Sequence, residues 1–245
     1  MTSFIVSKGT EAVEAALTEK ADTSKMLVSV KVGKVFKVRA LPTAVVKYYA
    51  HGVYKTFNTT PCTKPMGIED LYDKATNMLY DDAKAAADAG ASEDEVKKLK
   101  DRAYQMKAKE RFMIGFVNLE DGQPIIADFT SNQGKGIVAI MQKYAKRLDK
   151  FPFELTKTGA STDTKVSFSL LLDPEEDLTE AEQKKFEESK GFEFPMDAFG
   201  EVLSVNDQAR QIEDLRAFGF DIARLGLGGE EKTEEQKEEG NDTGF

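Results

Sequence analysis

The sequence has no tryptophan, and among its 245 residues it holds one histidine, His51, and one cysteine, Cys62. A single cysteine excludes an internal disulfide and fits a reducing, cytoplasmic compartment. A single histidine leaves a histidine-rich metal site or a Ser-His-Asp triad without its parts. No apolar run reaches about 18 residues, so no membrane span is expected. The N-terminal "MTSFIVSKGTEAVEAALTEK" has neither the basic start nor the long apolar stretch of a secretory signal. The most informative absence is local. Residues 23–68 contain no Asp or Glu, although the chain has 43 acids and a formal net charge of −9.

That acid-free stretch carries eight Lys and Arg residues. Further on the sign reverses. Residues 173–228 hold fifteen acids against six bases, and residues 229–245 hold seven against two. A chain polarised in this way suggests a nucleic-acid surface joined to an acidic tail.

Hydrophobic residues make up 40% of the chain, enough for a packed core. Residues 9–21 read as a short helix with Thr10 as its N-cap. "MLVSVKVGKVFKVRAL" (26–41) alternates apolar and basic residues, the period of a strand, with Gly33 at a bulge or turn and Pro42 ending it. Residues 45–57 read as a hairpin turning near His51-Gly52, and 58–65 as a loop. Helical spacing takes over from residue 68. Gly90 ends a first helix, and Ser92 with Glu95 caps a second that runs to about Lys109. Residues 111–119 and 124–129 read as a hairpin across Asp121-Gly122, and 136–148 as an amphipathic helix. A second hairpin pairs 151–159 with 164–172.

The expected class is therefore mainly β with helical insertions (α+β), built on a small closed β-barrel. The expected organisation is an arm or helix at 1–22, a core at 23–172 with a helical insertion at 68–110, an acidic helical region at 173–225, and a disordered acidic tail at 226–245.

A nucleic acid single strand offers phosphates and unstacked bases. Lysine and arginine gain by releasing counterions from phosphates. Flat side chains gain about 1–3 kcal/mol per stacked base, whatever the base. A groove for such a strand interleaves both and excludes carboxylates. Lys34, Lys37, Arg39, Lys47, Lys55 and Lys64 supply charge here, and Tyr48, Tyr49, Tyr54 and Phe57 supply faces. A second cluster, "YQMKAKERFMIGF" (104–116), adds Lys107, Lys109, Arg111 and Phe112. The tail "EEKTEEQKEEGNDTGF" is a polyanion able to compete for that groove. With Asp242 and Phe245 near its end, it offers a partner protein an acidic, aromatic anchor.

Enzyme chemistry is poorly supplied. "SNQGKG" (131–136) lacks the first glycine and the Ser or Thr of a phosphate loop. Asp121 and Asp128, conceivable nuclease ligands, are explained by a turn and a strand end. The chain is read as not an enzyme. The alternatives are a metal-dependent DNA-processing enzyme and a viral structural or scaffold protein.

The order of these motifs resembles the T4-type phage single-stranded DNA-binding (helix-destabilising) proteins. "VFKVRALPTAVVKYYAHGVYKTFNTTPC", "YQMKAKERFMIGFVNL" and "FPFELTKTGASTDTKVSFSLL" carry the likeness, collinear over about residues 28–172. The resemblance implies an OB-fold that coats single-stranded DNA without sequence preference in replication, recombination and repair. It also implies that the tail engages replication and recombination proteins. It points to Lys107, Lys109, Arg111 and Phe112 as cleft residues, followed by Tyr48, Tyr49 and Tyr54. Two features depart from it. The family's zinc is held by one histidine and three cysteines, and here only His51 and Cys62 remain. Residues 23–68 hold no carboxylate to replace the missing ligands, so no zinc or other cofactor is expected. The family's N-terminal arm is basic, whereas here Lys8 and Lys20 face Glu11, Glu14, Glu19 and Asp22.

Overall fold

A computed structural model describes residues 23–159 and 163–227. The expected helix at 9–21 and, from residue 228 onward, the tail expected at 226–245, with Asp242 and Phe245, lie outside the described residues. In chain order the elements are strands β1 (Leu27–Val28), β2 (Val35–Val53) and β3 (Phe57–Pro61), then helices α1 (Leu71–Asp88) and α2 (Glu93–Met106). Strands β4 (Lys109–Asn118) and β5 (Pro124–Thr130), helix α3 (Ser131–Lys143), and strands β6 (Phe153–Thr158) and β7 (Lys165–Leu170) follow. Four more helices close the described chain: α4 (Pro174–Asp177), α5 (Glu180–Glu188), α6 (Ala198–Glu201) and α7 (Gln208–Ala217). No helix among the described residues is long and apolar enough to cross a membrane.

The class is mixed, α with β. Seven strands among the described residues form one sheet, ordered β1-β5-β4-β2-β6-β7, with β3 paired to β2. Its two edges, β1 and β7, line one cavity of about 370 Å³, so the sheet curls towards a barrel. The chain divides into two compact units. Among the described residues, one comprises 23–50 with 109–204, and the other comprises 51–108 with 205–227.

In the first unit β4 shows why the sheet is covered on both faces. Ile114 and Phe116 enter one core with Phe36, Val38, Phe153, Leu155 and Phe168, under Ile137 and Met141 of α3. Met113 and Val117 enter another with Leu41, Ile126, Phe194 and Phe199. Successive residues of a strand point to opposite faces, so a strand packed on both reads as an unbroken apolar run. Two glycines permit the closest approaches. A Cβ on Gly115 would lie 2.7 Å from the Phe194 ring, and one on Gly134 would lie 2.5 Å from Cβ of Phe112.

Four sequence expectations are corrected here. Pro42 does not end the strand. β2 runs on to Val53, because a register shift between Ala40 and Val45 carries the residue lacking an N–H out of the ladder. The turn is not at His51-Gly52. His51 and Val53 are both buried, so the strand must continue past them, and the chain reverses at Tyr54–Thr56 with Lys55 at φ +64°. Residues 58–61, expected as loop, belong to strand β3. The capping box of Ser92 and Glu95 is present as expected, and α3 begins at Ser131 behind a Thr130/Gln133 box rather than at Gly136.

In the second unit α1, α2 and α7 surround one core of Phe57, Leu71, Tyr72, Leu79, Met106 and Leu215. The Tyr72 hydroxyl donates to Asp214 at 2.7 Å, and Asn206 Nδ2 donates to both at 3.0 and 2.9 Å. The acidic stretch containing α7 was expected as a solvated surface helix. It instead buries Gln211, Asp214 and Leu215, because Asp214 and Gln211 find donors in Tyr72 and the Leu71 amide.

Candidate functional site

The residues expected to contact nucleic acid fall into three groups. The first lies in the first unit where β2 runs antiparallel to β4, with Lys47, Tyr49, Glu110 and Phe112 on one face of the pair and Tyr48, Lys109 and Arg111 on the other. The register sets Lys47 opposite Phe112, Tyr48 opposite Arg111, and Tyr49 opposite Glu110. Lys47 and Lys109 are exposed, and Tyr49 is 43% exposed. Phe112 is half-buried and held in place by the first turn of α3, which fits against it only because residue 134 is glycine. The surface is not free of carboxylates. Glu110 gathers Lys135 at 2.6 Å, Lys47 at 3.9 Å and the Ser131 hydroxyl at 2.6 Å. Lys135 and Ser131 hold its carboxyl below the ordinary glutamate range. Arg111 forks onto Asp128 through Nε and Nη2 at 2.7–3.1 Å. Burial opposes the charge of Arg111, but Asp128 and Tyr48 more than offset it. Burial and Asp128 keep the Tyr48 hydroxyl protonated.

The second group lies at the β2–β3 turn of the second unit. Tyr54 is 88% exposed, with the Lys55 ammonium 5.4 Å from its ring centroid. Both line a cavity of about 520 Å³ with Asn58 and Arg210. Lys107, just after α2, is exposed in the same unit.

The third group is withdrawn from solvent. Arg39 is 2% exposed. Its guanidinium donates to Ser189 Oγ at 2.9 Å and the Phe186 carbonyl, and stacks 3.8 Å over the Phe186 ring. Phe57 is 7% exposed and stacks on Tyr72. These two cannot reach a ligand in this fold, because strand periodicity turned both inward. Lys37 is half-buried and donates to Glu182 at 3.0 Å, while Lys34 is exposed and lies 4.4 Å over Phe36.

The imagined nuclease ligands have structural partners. Asp121 accepts from Asn118 Nδ2 and the Gln123 amide inside its turn, and Asp128 is taken by Arg111. A cluster of another kind occurs in the second unit and was missed. His51 at the end of β2, Cys62 just after β3 and Asp73 in the first turn of α1 bring their donor atoms within 4.8 Å of one another. Asp70, the N-cap of α1, has Oδ1 3.4 Å from His51 Nε2. The expectation of no zinc rested on the lack of carboxylates in residues 23–68. That reason fails, because the carboxylates come from residues 70 and 73, just past the window. The signal was present in the sequence: two aspartates three apart at a helix start share one side of its first turn.

The chain matches no protein-family model, no curated protein and no solved structure. The assignment therefore rests on the residues themselves.

Proposed function

We propose that this chain binds single-stranded DNA without sequence preference, through the β2–β4 surface of its first unit, and is not an enzyme. The curled sheet is read as an OB-type barrel, a fold that presents one strand face to a nucleic acid. One observation carries the reading. In a chain with an excess of acids, an exposed cation and flat side chains lie side by side on one face of two paired strands: Lys47, Tyr49 and the half-buried Phe112, with Lys135 of α3 beside them through Glu110 and the exposed Lys109 on the other face. Phosphates displace weak, solvated ion pairs easily, so the contacts of Lys47 and Lys135 with Glu110 are compatible with binding. Arg111, held by Asp128 and Tyr48, is better suited to a fixed phosphate contact than to a mobile one. Tyr54, Lys55 and Lys107 of the second unit are proposed as further contacts. Coating of single strands during replication, recombination and repair follows as the role, with the acidic tail, Asp242 and Phe245 included, as a site for partner proteins and a competitor for the groove.

Fluorescence anisotropy with labelled oligo-dT and the matching duplex, each at two salt concentrations, tests the reading. Tight, salt-sensitive binding to the single strand with much weaker binding to the duplex is expected. Equal binding to both, or to neither, overturns it. Deleting residues 230–245 is expected to tighten single-strand binding at low salt, and unchanged affinity removes the competing tail.

A further inference from the structure

His51 raises a problem that the nucleic-acid reading does not solve. Its side chain is 0% exposed. Nδ1 lies 2.8 Å from the Met106 carbonyl, which can only accept, so Nδ1 carries a proton. Nε2 is buried with no hydrogen-bond partner. A buried polar atom without a partner is rare and calls for a cause, and an unseen ion is one of the usual causes.

What surrounds Nε2 is a set of metal donors. Asp70 Oδ1 is 3.4 Å away and Asp73 Oδ1 is 3.7 Å away. The Cys62 thiol lies 3.8 Å from Asp73 Oδ2. Donors of one tetrahedral zinc site, bound at about 2.0–2.3 Å, stand about 3.3–3.6 Å apart. The two spacings from His51 are close to those values without any ion present, and one donor atom from each of His51, Cys62 and Asp73 lies within 4.8 Å of the others, a set that closes onto an ion by small side-chain rotations. An imidazole whose other nitrogen donates to a backbone carbonyl has its tautomer and ring plane already fixed for ligation. The Tyr72 ring, 5.0 Å from the imidazole, packs against it.

An ion pair between His51 and Asp70 is the competing account. Burial works against protonating His51, yet Asp70, the Met106 carbonyl and Asp73 raise its pKa. That account leaves two facts unused. Nε2 meets Asp70 only through a long 3.4 Å contact, and the Asp70 oxygens already accept from the Thr63 amide at 2.8 Å and the Asp73 amide at 3.1 Å. Nor does it explain why the one thiol of the chain lies 3.8 Å from Asp73, the second carboxylate beside His51.

We propose that His51, Cys62 and Asp73 bind one divalent transition metal of the zinc or cobalt(II) type, with Asp70 the nearest donor for the fourth position. On binding, the S–H bond of Cys62 is replaced by a sulfur–metal bond and one proton is released to solvent. The Cys62 thiolate and the Asp73 carboxylate neutralise the dication, and Asp70 in the fourth position brings the site to a net charge of −1. The set differs from the three thiolates and one histidine that the resemblance implies, since carboxylates stand in two positions. With a single soft ligand the metal exchanges more readily, and the site discriminates less sharply between zinc and cobalt. The metal ties the end of β2, the chain after β3 and the first turn of α1 together, all within the second unit. The inference does not depend on nucleic-acid binding.

Purified full-length chain, stripped with chelator and titrated with cobalt(II), tests it. One equivalent is expected to bind, with a thiolate-to-cobalt band in the near ultraviolet, one proton released, and displacement of the band by zinc. A hundredfold excess of metal over Kd is expected to raise Tm by about 5–10 °C. Cys62→Ala abolishes the band, Asp73→Asn weakens binding at least about tenfold, and Glu69→Gln, a neighbouring carboxylate outside the set, leaves both unchanged. Circular dichroism confirms that each variant is folded. The wild-type titration stands without any variant: no band and no rise in Tm overturns the proposal in favour of the His51–Asp70 ion pair. A band that survives Cys62→Ala overturns it too.

Discussion

Strand β2 carries both of the charged clusters that matter, and they behave oppositely. Near Lys47 and Tyr48, in the first unit, ionic partners sit at the surface, where water screens them and a phosphate can take one partner's place. Three residues beyond Tyr48, in the second unit, His51 is sealed from water with its free nitrogen aimed at carboxylates. The same strand thus offers a surface whose pairs can exchange and a pocket whose donors cannot find water. Composition does not separate the two. Burial does, because desolvation converts a modest polar contact into one that must be satisfied.

Substitutions can break this contrast, beginning with the largest effect. Phe57→Ala in the second unit removes a buried ring stacked on Tyr72 and is expected to cost about 3–5 kcal/mol of stability in urea unfolding. A loss below about 1 kcal/mol would contradict the packing. Asp70→Ala removes the cap of α1, the acceptor of the Thr63 amide and the nearest charge to His51. The expected loss is about 3 kcal/mol, read by the same measurement.

Tyr54→Ala sits three residues before Phe57 and should do the reverse. Stability stays within about 0.5 kcal/mol, and single-strand affinity falls by about 1–3 kcal/mol if the ring stacks on a base. Unchanged anisotropy would remove the turn from the binding surface. Replacing Lys47 and Lys135 by alanine is expected to flatten the slope of log affinity against log salt by about 0.7 for each lost phosphate contact. Arg39→Lys should leave that slope alone, since Arg39 is buried against Phe186.

Glu110→Gln gives the smallest effect, a few-fold tighter binding, because Lys47 and Lys135 no longer have a competing carboxylate. Acid should imitate it. Lys135 and Ser131 hold the Glu110 pKa below its ordinary value, so its pairs persist at neutral pH and are lost only as pH falls through that lowered value. Wild-type affinity should then rise towards that of Glu110→Gln, and a constant ratio between the two across the acid range would dissociate Glu110 from the surface.

Much of the architecture was legible. Helical spacing, the Ser92/Glu95 box, the turn at Asp121-Gly122 and the late hairpin all appear near their expected places, because each depends on residues close in sequence. Pro42 misled, because a bulge can absorb a missing N–H and no local pattern announces one. Arg39 and Phe57 misled, because alternation says that a side chain faces one way or the other without saying which way is out.

The sequence by itself determined the strands, the helices and their caps, and the stretch of positive charge without acids, since these follow from local periodicity and composition. Only the tertiary structure decided which cations pair with Glu110 and Asp128, which aromatic rings reach water, and that residues 51, 62, 70 and 73 converge. Convergence requires a hairpin to fold back against the first turn of a helix, and what holds it there is the burial of Phe57, Leu71 and Tyr72 in one core. A distance between donors is a property of that packing, not of their spacing along the chain.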